Sequence, residues 1–228
     1  MTAMHGPRTP HIIAIEGLDA SGKTTQAALL ACALADNGWS VGNLSFPRYE
    51  TFFGSQIGKL LKGDAHARAD TLDPRSMALW FAMDRWDAWA RGVPECDVLL
   101  INRWTLSNAV YQGARAHDLA EGDAVFDWVL ELETKQLGLP TPILTVLLDV
   151  SVPTSMARAT TRATQAGATP DVYESHEALL SASRRLYQRA AAHGHGVLVN
   201  VDDLAADLVH STVLGLVSSA LETSSLSQ

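Results

Sequence analysis

The chain reads as an α/β protein, a doubly wound parallel sheet of five strands with helices on both faces. Two observations predict this. Five short apolar runs, near residues 11–16, 40–46, 97–102, 143–150 and 197–201, alternate with longer segments of helical character. The first run leads through Gly17-Leu18-Asp19-Ala20-Ser21-Gly22-Lys23-Thr24, a G-x-x-x-x-G-K-[ST] segment, straight into an Ala/Leu-rich stretch. That is the strand, glycine loop and helix order of a phosphate-binding P-loop. No repeat and no interdomain linker interrupts the alternation. One domain over 11–222 is therefore expected, with a loose tail at 1–10 and a Ser-rich, frayed end at 223–228.

Composition narrows the classes. A length of 228 residues suits one α/β domain, and 47% hydrophobic with 18% charged residues supplies a core for a soluble protein. The net charge of −8 argues against a nucleic-acid surface, so positive charge for a polyanionic ligand must be gathered locally. Cys32 and Cys96 show no metal or redox spacing and read as free thiols of a reducing cytoplasm. No apolar run is long enough to span a bilayer, and residues 1–10 have no apolar signal-like region.

Taken in order, the first strand is apolar almost throughout, as a parallel strand covered on both faces must be. The first helix runs from Lys23 to about Asp36 and stops near Gly38. Strand two leads to the loop Phe46-Pro47-Arg48-Tyr49, on the edge where open α/β sheets bind ligands. A short helix over 54–61 and a polar loop over 63–72 follow. Asp73-Pro74 opens a long helix, with Asp as N-cap and Pro in the first turn, running to about Arg91. Strand three ends in a polar cluster, Arg103 to Gln112. A helix is predicted over 122–137, with Val125, Trp128, Val129 and Leu132 at core spacing. After strand four a helix begins at Pro153 and gives way, past Ala163, to a Gly/Ala/Thr/Pro linker. Helix is predicted again over 172–192, then strand five and a closing helix over 204–221.

Several constellations carry chemistry. Gly17, Leu18, Asp19, Ala20, Ser21, Gly22, Lys23, Thr24 and Thr25 would cradle nucleoside-triphosphate phosphates with inward N–H groups and a helix N-terminus. Lys23 would reach the β- and γ-phosphates and Thr24 would hold Mg²⁺ through its hydroxyl. Asp19 lies inside the loop, where a carboxylate needs a metal or a cation beside it. Phe81 and Arg85, four apart on the long helix, offer a stacking face and a planar donor fork together. Asn102, Arg103, Ser107, Asn108, Tyr111 and Gln112 crowd a strand end, where a purely structural loop has no need of them. Arg158 and Arg162, also four apart, precede the linker, so a mobile basic lid over about 158–171 is expected.

Together these motifs resemble the bacterial thymidylate kinases, dTMP kinases of the P-loop nucleoside-monophosphate kinase group. The resemblance runs from His11 to about Val201. It rests on IEGLDASGKTT, Phe46-Pro47-Arg48, Phe81-Ala82-Met83-Asp84-Arg85, Arg103 with Ser107-Asn108-Ala109-Val110-Tyr111-Gln112-Gly113, and Arg158, Arg162 and Asp171-Val172-Tyr173-Glu174. It implies a P-loop NTPase-type sheet, ATP and dTMP as substrates, Mg²⁺ with ATP, and a homodimer. Phe81 would stack on thymine, Arg85 would bond its edge, and Asn108 would help hold it. Tyr111 would lie under the deoxyribose. Phe46, Pro47, Ser107, Gln112 and Tyr173 would complete the dTMP site. Arg48 and Arg103 would hold the acceptor phosphate beside Asp19, and Arg158 and Arg162 would close over ATP.

Two positions depart from the family pattern. Asn102 stands where an Asp is usual, so metal support falls to Thr24, to Asp19 and, through water, to the Asn102 amide. Trp104 replaces a Tyr and is expected to pack beneath the loop. The P-loop itself carries no Arg, so Lys23, Mg²⁺ and the lid arginines must stabilise the transferring phosphoryl. The reading is transfer of the ATP γ-phosphoryl to dTMP. One alternative is a deoxynucleoside kinase acting on thymidine, for which Glu16 is the candidate base. The other is a nucleotide-binding regulatory protein weakened by Asn102.

Overall fold

The computed structural model describes residues 9–63, 67–167, 169 and 171–226. The elements run β1 (His11–Gly17), α1 (Lys23–Asp36), β2 (Val41–Ser45), α2 (Phe52–Lys62), α3 (Pro74–Ala90), β3 (Val98–Asn102), α4 (Thr105–Ala114), α5 (Leu119–Glu131), β4 (Leu144–Asp149), α6 (Val152–Gln165), α7 (Glu177–Ala192), β5 (Val197–Asn200) and α8 (Ala206–Ser225). All strand pairs are parallel, in the order β2-β3-β1-β4-β5. The fold class expected from the sequence is the fold found.

Alternation along β1 explains why the sheet needs two covers. Ile13 and Ile15 enter the larger core with α1, α4, α5, α7 and α8, whereas Ile12 and Ala14 face the smaller core of Phe46, Trp104 and Leu139. β1 is central, and the chain builds first on its β3 side and later on its β4 side. The C-terminal end of β1 is therefore the switch point at which an open sheet opens a crevice.

Local chemistry fixes the helix ends. Asp73 caps α3 through Ser76 N at 3.0 Å, and Pro74 opens its first turn. Thr51 caps α2, so that helix starts ahead of the expected Gly54. Asp118 accepts from Glu121 N while Glu121 accepts from His117 N, a reciprocal cap that starts α5 ahead of Gly122. α5 ends in a π-helical turn, Leu132–Gln136.

Four expectations need correction. The polar cluster after β3 is mostly helix: α4 has nine of its ten residues buried, because it crosses the middle of the larger core. The helix expected from Val172 begins only at Glu177, because Asp171 accepts from Tyr173 N and Glu174 N and holds 171–175 as a turn. The helix expected to give way past Ala163 continues to Gln165, with no Gly or Pro to stop it before Gly167. The closing helix runs past the expected residue 221, with α8 reaching Ser225 and Ser224 Oγ lying 3.2 Å from His11 Nδ1. Of the expected loose tail, only Thr9 and Pro10 lie within the described residues, and 227–228 lie outside them.

Candidate active site

The P-loop closes between β1 and α1 because three residues accept positive φ: Gly17 at 135°, Ala20 at 54° and Gly22 at 98°. At Gly17 a Cβ would also run into the Leu148 carbonyl oxygen, so only glycine fits. Lys23 folds back inside the loop and donates to Leu18 O at 2.6 Å and Gly17 O at 3.2 Å. Burial, and then the neighbouring Arg103 charge, push its ammonium down to a pKa of about 7. Thr24 and Thr25 are exposed at the start of α1. Asn102 Nδ2 lies 3.4 Å from Thr24 Oγ1, and Asn102 Oδ1 is buried with no partner.

Asp19 joins this loop to a second one. Its carboxylate accepts from Arg103 at 2.5 Å and from the Tyr111 hydroxyl at 3.0 Å. Burial works against the charge, but Arg103 and Lys23 outweigh it and hold the carboxyl at a pKa of about 2. Both carboxylate oxygens are engaged on this side, so Asp19 is a partner of Arg103 and Tyr111. Arg103 takes a left-handed turn, φ 65°, and donates its N–H to Ile15 O at 3.0 Å. That bend swings the guanidinium over the Tyr111 ring at 5.4 Å.

Glu16 supports the bend from below. It is fully buried and accepts from Trp104 N at 2.8 Å, Ser107 N at 3.1 Å, Ser107 Oγ and Tyr187 Oη. Burial raises its pKa. Ser107 Oγ in turn accepts from Arg103 at 3.2 Å. Trp104 packs under the loop against Phe46 and Trp89 and bonds Pro140 O through Nε1 at 3.0 Å.

A cavity open to solvent lies beside Asp19. It is lined by Phe46, Pro47, Tyr49, Leu61, Phe81, Arg85, Arg103, Ser107, Asn108, Tyr111, Gln112, Asp171 and Tyr173 as well as Asp19. It thus gathers nearly all the acceptor-side residues singled out in the sequence. Tyr111 and Tyr173 stack at 5.8 Å, with ring planes 12° apart. At another part of the lining Arg85 is fork-paired with Glu133, 2.6 Å on each arm, and Asn108 Nδ2 donates to Ala78 O at 3.0 Å and to Glu133 at 2.7 Å.

Three expected residues lie elsewhere. Arg48 does not line the cavity: its N–H donates to Asp84 at 2.8 Å and its guanidinium to Asp87 at 2.8 Å, so it fastens the loop to α3. Arg158 and Arg162 are exposed on α6, and Arg162 pairs with Glu174 of the turn before α7. The same turn places Asp171 in the cavity wall, where burial and then the Asp19 charge raise its carboxyl to a pKa of about 6. The start of α6 is tied to the P-loop by Ser155 Oγ donating to Asp19 O at 2.7 Å.

Sequence reasoning missed three contributors. Tyr49 was read only as loop, and Asp171 only as the end of the lid and its motif. Glu133 carried no signal at all. It lies in the segment LETKQ, among polar residues, where a solvated helix face is the natural reading; it is buried because that segment is π-helical and turns it inward.

Comparison with known proteins gives a consistent picture. A family model described as thymidylate kinase matches residues 15–213. A thymidylate kinase from Mycobacterium tuberculosis is 37% identical over 190 residues, covering 81% of this chain and 87% of the relative. One from Thermomicrobium roseum is 34% identical, covering 64% of this chain and 66% of the relative. The solved structure of a thymidylate kinase from Candida albicans superposes with a TM-score of 0.72 at 21% identity, over 92% of each chain, and supports the fold.

Proposed function

The chain belongs to the thymidylate kinase family, and from that premise we propose that it transfers the γ-phosphoryl of ATP to dTMP, giving ADP and dTDP. The observation that carries this is the Asp19–Arg103 bridge, which joins the ATP-type loop directly to a cavity that also holds Phe81, Arg85 and Asn108. A monophosphate held by Arg103 would sit next to the loop that presents the donor.

In this reading an anionic oxygen of the acceptor phosphate attacks the γ-phosphorus, and the bond from that phosphorus to the ADP oxygen breaks. No general base is needed, and catalysis is positioning and charge neutralisation. Lys23, released from the carbonyls of Gly17 and Leu18, supplies positive charge to the γ-phosphoryl. Arg103 holds the acceptor phosphate, oriented by Asp19 and Ser107. Arg158 and Arg162 approach from α6. Phe81 stacks on the base, Arg85 and Asn108 bond its edge, and Tyr111, braced by Tyr173, lies where a ribose 2′-hydroxyl would intrude. The residues present fit Mg²⁺: Thr24 offers an exposed hydroxyl, and the unpartnered Asn102 Oδ1 could accept from a metal-bound water. The ion would neutralise phosphate charge during transfer.

The thymidine-kinase alternative lacks support, because Glu16 is sealed under α4 by its donors and does not line the cavity. No helix among the described residues is long and apolar enough to cross a membrane. The unpaired thiols Cys32 and Cys96 suit the cytoplasm. Exposed Leu79 and Trp86, seven apart on α3, with Phe52 on α2, would furnish the apolar face of a two-fold dimer.

The deciding measurement is ADP release with dTMP, dUMP, dCMP, UMP and thymidine offered in turn. Turnover is expected with dTMP, and thymidine should be inert. Turnover with thymidine alone would overturn the assignment, and a monomer by sedimentation would remove the dimer.

A further inference from the structure

The geometry points to Glu133 as the positioning residue that sets which pyrimidine the cavity accepts: it locks the Asn108 amide in one orientation, so that the site reads an imide and rejects an aminopyrimidine. This inference rests on the dTMP-kinase reading.

The argument begins with the donors that are used up. Both Asn108 amide hydrogens are engaged, one by Ala78 O at 3.0 Å and one by Glu133 Oε1 at 2.7 Å. The amide's remaining polar atom, Oδ1, is buried and has no partner, on a residue that lines the cavity. Such an acceptor asks for a donor from the ligand. Arg85 gives its Nε–H and one Nη2–H to the same carboxylate, at 2.6 Å each, and a guanidinium has five N–H donors in all. The remaining donors of Arg85 ask for an acceptor. An acceptor beside a donor is the complement of an N3–H beside a C4 carbonyl, the edge shared by thymine and uracil. Cytosine carries a lone pair at N3 and an amino group at C4. It would set acceptor against acceptor and donor against donor.

Glu133 makes this choice because it is an anion. A carboxylate only accepts, so the group facing it must be the amide nitrogen of Asn108 and never the oxygen. It is fully buried and bonds both edge-reading residues at once, while it does not itself line the cavity. A glutamine at 133 could donate as well as accept, which leaves the longer bond to Ala78 O as the one contact that still demands the amide nitrogen, and lets the Asn108 amide turn over and offer its N–H to the base at the loss of that single bond.

The test compares kcat/KM for dTMP, dUMP and dCMP in the native protein and in Glu133→Gln. The dTMP-to-dCMP ratio should fall about tenfold or more, chiefly through KM, while the dTMP-to-dUMP ratio stays fixed because those bases share the same edge. A purely structural role would lower all three substrates together, and an unchanged dTMP-to-dCMP ratio overturns the inference. Should Glu133→Gln fail to fold, Glu133→Asp decides. It keeps the charge for Arg85 but is one methylene too short to hold both partners, so the ratio should again fall, and a native-like ratio sinks the proposal. Absence of dTMP turnover in the native protein would instead count against the functional reading itself.

Discussion

The two halves of the site are built differently. The side of the acceptor cavity is held by contacts within the chain: Arg85 is fork-paired with Glu133, Arg103 with Asp19, and Tyr111 is stacked on Tyr173. The donor half differs. Lys23 is turned onto its own loop's carbonyls, Thr24 and Thr25 face solvent, and Arg158 and Arg162 stand exposed on α6. Selectivity among small monophosphates needs fixed geometry, since a misplaced hydrogen bond discriminates little. Phosphate binding needs charge, which acts at longer range and tolerates adjustment. On the proposed reading, the side that reads shape fixes its groups against one another, while the side that meets charge leaves them exposed or turned onto the backbone.

Breaking the preorganised half should therefore damage the fold as well as binding. Arg85→Ala would leave the Glu133 carboxylate buried and unpaired, at a cost of about 3–5 kcal/mol. A large drop in denaturant midpoint is expected, together with loss of dTMP binding. Stability within about 1 kcal/mol of the native protein would show that the pair is not part of the architecture.

On the donor side the fold should survive and the chemistry should not. Lys23→Ala removes a charged group that is already penalised by burial, so the denaturant midpoint should hold or rise while kcat falls by on the order of 10²-fold or more. The native protein carries a matching pH signature. In the free protein Lys23 titrates near a pKa of about 7. Bound phosphates favour its charged form and raise that value. Below the free pKa the lysine is already protonated and contributes no pH dependence. Above it, binding must be accompanied by proton uptake, so ATP affinity should fall as pH rises from about 7.5 to 9, by up to tenfold per unit. Calorimetry in buffers of different ionisation enthalpy reads the proton directly. Lys23→Ala should abolish the uptake, and equal uptake in both proteins would place the titration elsewhere.

The same contrast explains what the sequence disclosed. The sheet was legible because parallel strands covered on both faces are continuous apolar runs, and the P-loop because its glycines and lysine sit at fixed spacing. Phe81 and Arg85 could be paired because helical periodicity places them on one face. Contacts that join distant segments were not legible. Glu133 meets Arg85 across 48 residues, and no local pattern marks a glutamate that a π-helical turn will bury. Arg48 shows the same limit: its partners Asp84 and Asp87 lie on α3 and carry no mark of that partnership in the sequence. The span of α6 was cut short because Ala and Thr were read as linker, although nothing before Gly167 ends a helix there.

The weakest perturbation sharpens the comparison most. Arg162 is exposed and pairs with Glu174, in the turn whose Asp171 lines the acceptor cavity. An exposed ion pair is worth about 0–1 kcal/mol, so Arg162→Ala should leave stability nearly unchanged. If the arginine exchanges Glu174 for ATP phosphate, as the donor-side reading requires, kcat should fall about tenfold while the Kd for dTMP alone holds. Glu174→Gln then separates two roles for the same pair. Freeing Arg162 from its carboxylate should strengthen ATP binding or leave it unchanged if Glu174 merely holds the arginine in reserve. Should Glu174→Gln instead weaken dTMP binding, the pair would be holding the 171–175 turn against the cavity, and Arg162 would belong to the preorganised half. Equilibrium binding of each nucleotide alone, on both variants, settles which half owns it.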